Sequence, residues 1–179
     1  MAWYPAVSSK SFRVAIYLLL FALSVFAQEQ PVDRIPPSCG PSDIQFEVHT
    51  SKSKSEPRIE PSKARVYIVE LARKPFFEPG NPVIRIGLDG SWMGAMRGNS
   101  YFAFSVDPGG HHVCAEWQPS AKGDPRKIGF ASFTAEATKE YYFRVRVVLH
   151  IALELERLDP DQGRFLVSKS ALAVSRPKK

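Results

Sequence analysis

From Ala64 to Leu158 the chain passes through a series of short segments in which apolar and polar residues alternate, each cut off by Gly, Pro or Asp. Period-two patterning gives a strand one apolar face, and that face must be covered by another layer. Ala64 to Leu71 (ARVYIVEL) is dense in β-branched and aromatic residues, and a Pro/Gly-marked loop covers Phe76 to Pro82. Val83 to Leu88 then puts Ile84, Ile86 and Leu88 on one side. Asp89-Gly90 follows at once, the residue pair of a tight hairpin, and predicts Trp92 to Met96 as the returning strand. Tyr101 to Val106 turns Phe102, Phe104 and Val106 one way before a second turn at Asp107, Pro108, Gly109 and Gly110.

In His111 to Trp117 the parity groups His111, Val113, Ala115 and Trp117 on an inward face and His112, Cys114 and Glu116 on the outer one. Ile128 to Thr134 is another short strand. Tyr141 to Leu149 and Ile151 to Glu156 form the last pair, and a reversal near His150 sets Arg146 against Glu154 and Arg144 against Glu156. Such cross-strand pairs fix register. Asp159 caps a short helix with Pro160 in its first turn, running towards Ser168. About eight short strands at this spacing predict an all-β, mainly antiparallel β-sandwich over 64–176, with a short C-terminal helix and a frayed tail from Arg176 that leaves 177–179 outside the domain.

The N-terminal region is of a different kind. Lys10 and Arg13 precede an apolar run, Val14 to Phe26, that ends at Ala27, with Val25 and Ala27 as the small residues before a cut. This is the order of a secretory signal peptide, so 1–27 is expected to be removed and the mature protein to begin at Gln28 in the periplasm or outside the cell. The run is shorter than the ~20 residues that span a bilayer, and no stable membrane insertion is expected after cleavage. Loss of Lys10 and Arg13 lowers the formal net charge of +6 by two. Basic residues cluster at Lys52, Lys54, Arg58, Lys63 and Arg65 and again at Arg176, Lys178 and Lys179, and read mainly as a solvated linker and tail. Export separates the chain from nucleic acid. Residues 28–63 are rich in Pro, Ser and Lys, with one island, Ile44, Phe46 and Val48, that alternates as an edge strand should.

Export gives Cys39 and Cys114 their meaning, since paired thiols outside the cytoplasm are oxidised. A disulfide between them is expected, contributing ~4 kcal/mol by restricting the unfolded chain. The competing reading makes Cys114 the nucleophile of a hydrolase or transferase with His111 or His112 as base. A metal shared by His112, Cys114 and Glu116 requires ligands from a second element, because a two-residue step along a strand spans ~7 Å. No cofactor motif is present, and GSWMG at Gly90 to Gly94 misplaces its serine for a nucleophile elbow. Catalytic, metal and cofactor residues are therefore not assigned.

The run from Val83 to Trp117, with its Asp-Gly turn, Gly94 strand, Tyr101 strand and PGGHH turn, resembles an uncharacterised bacterial domain-of-unknown-function family found in exported proteins and lipoproteins. It is distantly similar to PEGA-type surface modules. The resemblance covers Ala64 to Leu158 and implies an exported β domain without assigned catalytic residues. This chain lacks the Cys that carries lipid in the lipoprotein members. The function expected is a noncatalytic cell-envelope module, binding protein or polysaccharide through exposed aromatic and basic side chains or a sheet edge.

Overall fold

The computed structural model describes residues 39–51, 60–71, 82–119, 121, 126–148 and 152–178. The leader, its cleavage site, Lys52, Lys54, Arg58, the Phe76 loop and the reversal near His150 lie outside them. The chain divides into two units, Met1–Arg34 and Ile35–Lys179, and all described residues belong to the second.

That unit is a β-sandwich. In chain order the strands are β1 (Phe46–Ser51), β2 (Ala64–Glu70), β3 (Val83–Leu88), β4 (Ser91–Arg97), β5 (Ser100–Val106), β6 (Gly109–Trp117), β7 (Ile128–Ala135), β8 (Glu140–Val148), β9 (Ala152–Leu158) and β10 (Ala171–Pro177), with helix α1 (Pro160–Lys169) before the last. One sheet has the order β1-β10-β5-β2-β8-β9 and the other β4-β3-β6-β7. Most pairings are antiparallel, but β2 runs parallel to β8 and β10 parallel to β5.

The burial of β2 follows from its place. It lies in the middle of the larger sheet, which has the second sheet on one face and α1 on the other, and all seven of its residues are buried. Val66 and Ile68 join Ile84, Ile86, Val113, Ala115 and Phe143 between the sheets. Tyr67 and Val69 join Tyr101, Tyr142 and Leu166 under the helix. A strand covered on both faces loses the alternation of a half-exposed one. Arg65, expected in a solvated basic cluster, is 1% exposed, with its guanidinium 5.7 Å from the Tyr67 ring. The parity of the strand decides its position, not the charge of the segment around it.

The local signals hold. Asp89 and Gly90 both have positive φ, 49° and 83°, as a tight hairpin with the right-handed strand twist requires. Arg144 opposes Glu156 and Arg146 opposes Glu154, with ion pairs of 2.6 and 2.9 Å. Asp159 Oδ1 accepts from the backbone N–H groups of Asp161 and Gln162 at 3.0 and 2.9 Å, capping α1 with Pro160 in the first turn.

Two expectations are corrected. The C-terminal residues are not a frayed tail: β10 pairs with β1 over six positions, Arg176 bonds Glu47, and the Lys178 N–H reaches the Gln45 carbonyl. Pro177 and Lys178 therefore extend the sandwich instead of leaving it at residue 176. The start of the sandwich at Ala64 is the second: the edge strand expected around Ile44, Phe46 and Val48 is present as β1 at the edge of the larger sheet, and the stretch before it, from Cys39, covers the outer face of the smaller one. Sequence parity correctly groups Cys114 and Glu116 on that outer face, but they are 5% and 2% exposed because the N-terminal stretch covers them.

Candidate functional site

The cover over the smaller sheet is fixed at three points. Cys39 and Cys114 form a disulfide with their Cα atoms 5.7 Å apart. The Arg85 guanidinium donates to the Ile44 carbonyl at 2.6 Å, and the Trp92 indole N–H to the Pro41 carbonyl at 2.8 Å. Gly87 makes the approach possible, because a Cβ there would collide with the Cys39 carbonyl and sit 3.0 Å from the Cys114 sulfur.

Beneath this cover lies a buried charge cluster. Arg85 Nη2 and Glu116 Oε1 are 3.0 Å apart, each side chain 2% exposed, and the Arg85 guanidinium lies 4.4 Å from the Trp92 ring centroid. Arg126 closes the carboxylate from the other side with two bonds of 3.0 Å. Burial pulls the Arg85 guanidinium down from its ordinary value, and the Glu116 charge and hydrogen bond oppose that. Both partners are hydrogen-bonded, as buried ions must be. The cluster holds the cover down and leaves no oxygen of Glu116 without a donor.

These contacts settle what the outer face of β6 can do in this state. The Cys114 sulfur is bonded and buried, so it presents no thiolate to a substrate. His112 Nδ1 lies 2.8 Å from Ser132 Oγ, and His111 is on the opposite face. The set His112, Cys114 and Glu116 is likewise committed to Ser132, Cys39 and two arginines. Among the described residues no three His, Cys, Asp or Glu side chains gather as a metal site.

His111 sits in a second polar constellation, at the end of the sandwich where the β3–β4 and β5–β6 turns meet. Its Nδ1 is 2.7 Å from Asp89 Oδ2 and its Nε2 is 2.8 Å from the Asp107 carbonyl. The other Asp89 oxygen accepts from the His112 backbone N–H at 2.8 Å. Burial pulls the imidazole down, but the hydrogen bonds and charges of Asp89 and Asp107 together outweigh it, so the net shift is upward.

A groove of about 690 Å³ opens beside β1 and the β4–β5 turn, lined by Val48, His49, Thr50, Arg97, Gly98, Asn99 and Ala171. Its turn wall is held by Ser100 Oγ, which bonds both the N–H and the carbonyl of Arg97 at 3.3 and 3.1 Å. The Ala171 N–H bonds the Asn99 carbonyl at 3.3 Å. Close by, Glu70 closes β2 opposite Ser100, 3% exposed, and accepts a hydrogen bond from the Gly98 N–H. Burial raises its pKa from 4.5 to about 7, with the Gly98 bond opposing. Sequence reasoning missed Glu70 although parity with Val66 and Ile68 already turns it inward. It also missed Arg97 and Asn99, which share the groove wall with residues of β1 and β10.

Among the described residues no helix is long and apolar enough to cross a membrane. The fold and its covered face define a disulfide-linked all-β sandwich with one capping helix. The chain matches no known protein family, curated protein or solved structure.

Proposed function

We propose that this chain is an exported bacterial protein, released after Ala27, that serves as a noncatalytic binding module of the cell envelope. The observation that carries the reading is the Cys39–Cys114 disulfide, which ties the cover to the sandwich and is a bond characteristic of oxidising compartments. The leader-like order of Lys10, Arg13 and the Val14 to Phe26 run points the same way. The groove is the binding surface in this reading. Its volume is that of a small-ligand site, and His49, Asn99 and Thr50 offer hydrogen bonds that polyhydroxylated saccharide units accept and donate, with Arg97 in the same wall. Cysteine chemistry at Cys114 is disfavoured because its sulfur is already bonded to Cys39.

The test expresses the full chain in a bacterial host, fractionates the cells, and incubates the recovered protein with purified envelope polysaccharide. The reading expects an N-terminus at Gln28 in the periplasmic or secreted fraction and retention on polysaccharide that falls at least tenfold in Arg97→Ala. Protein that stays in the cytosol with Met1 in place overturns the export. Absence of retention, or retention indifferent to Arg97→Ala, overturns the groove.

A further inference from the structure

The His111 constellation carries an inference that does not depend on the proposed function. Both ring nitrogens face acceptors, a carboxylate oxygen of Asp89 and a backbone carbonyl of Asp107, at 2.7 and 2.8 Å. Neither partner has a proton to give at neutral pH. A neutral imidazole carries one N–H and one lone pair, so it satisfies one of these contacts and directs a lone pair at the other. Only the imidazolium donates to both. We infer that His111 is a doubly protonated clasp that fastens the β5–β6 turn to the β3–β4 turn and releases one of them when it loses a proton.

The surrounding groups decide which contact goes. Asp89 is held in place from both sides: it accepts from the His112 N–H, and its own backbone N–H bonds the His112 carbonyl at 2.9 Å. The charged carboxylate retains Nδ1–H more strongly than a carbonyl retains Nε2–H. Deprotonation therefore frees the Asp107 carbonyl and with it the start of β6. From the residue just before β2, Lys63 Nζ lies 3.7 Å from Asp107 Oδ1 and 3.6 Å from Glu60, a mostly exposed arrangement that ties the Asp107 side chain and leaves its carbonyl to His111. From β7 the neighbour is the uncharged Phe133 ring, with centroids 5.7 Å apart. His111 is 13% exposed, so its contacts are partly shielded from water. The sign follows from the net upward shift of His111: the clasp contributes fully below the ordinary histidine value and is lost as pH rises through the higher folded value.

The experiment is a nitrogen-15 NMR titration of the histidine rings from pH 5 to 9 in the disulfide-intact protein, with amide hydrogen exchange at Gly109 and Gly110 corrected for its intrinsic pH dependence. The clasp predicts that both His111 ring nitrogens read as protonated in acid and that the ring titrates above the ordinary histidine value. It also predicts exchange about tenfold faster once the ring is neutral, the loss of one hydrogen bond. Asp89→Asn keeps a residue suited to the hairpin turn, so it should fold, yet its ring titration should fall. A single-proton tautomer across the whole range, titration below the ordinary value, or exchange indifferent to ring protonation overturns the inference.

Discussion

Glu70 makes the fold sensitive to pH in a way that can be worked out in advance. It ends β2 at 3% exposure, on the face that Val66 and Ile68 turn towards the opposite sheet. Its Oε2 has no hydrogen-bond partner among the described residues. Burial favours the neutral acid, raising the pKa from 4.5 to about 7 against the pull of the Gly98 N–H. The folded protein thus holds a proton that the unfolded chain releases over that interval. Stability from this group is complete below pH 4.5 and is lost as pH rises through about 7. The loss amounts to about 3 kcal/mol. Glu70→Gln keeps a carbonyl that can accept from Gly98 and removes the ionisation. Urea unfolding of the two proteins at pH 4.5 and pH 8 isolates the effect, since every other titrating group is common to both. The difference in stability between the two pH values should be smaller in the variant by about 3 kcal/mol. At a slope near 2 kcal/mol per molar, that is a relative midpoint shift of about 1.5 M urea. Equal pH dependence in the two proteins would refute the placement of Glu70 as a buried neutral acid.

Three other substitutions follow from the geometry. Glu116→Ala leaves the Arg85 guanidinium buried with only the Ile44 carbonyl and the Trp92 ring for company, and should cost about 3–5 kcal/mol, a drop in Tm of about 10 °C or more by calorimetry. Gly163→Ala drives a methyl into the Tyr142 ring and should cost about 1–3 kcal/mol, seen as a lowered Tm and a changed near-ultraviolet signal from the stacked Tyr67–Tyr142 pair. Asp159→Ala removes the two bonds that cap α1 and should cost about 1 kcal/mol in urea unfolding, with no change in the slope.

What the sequence makes legible is local. The Asp89-Gly90 turn, the Arg144–Glu156 register and the Asp159 cap are each decided by residues within a few positions or across one reversal, and each appears where expected. β10 was hidden for the opposite reason. Ala171 to Pro177 carries few large apolar residues, and its main partner, β1, is far away in the chain: Arg176 and Glu47 are 129 positions apart. Local alternation cannot announce such a pairing. The burial of Arg85 depends on a layer supplied by the stretch from Cys39, which no strand pattern contains. The site is less legible than the fold. Cys39 and Cys114 were found from their number and setting, whereas the His111 contacts depend on two turns meeting at one end of the sandwich, and the groove depends on three strands converging.

The central claim is that Cys39 and Cys114 are joined by a disulfide that ties the N-terminal cover to the sandwich. Peptide mass mapping of the full chain, trapped by alkylation without reduction and recovered from the extracytoplasmic fraction, tests it directly. One cross-linked pair of peptides carrying Cys39 and Cys114 is expected, with a loss of about 4 kcal/mol of stability when Cys39→Ser removes the bond. Recovery of both cysteines as separately alkylated thiols would contradict it.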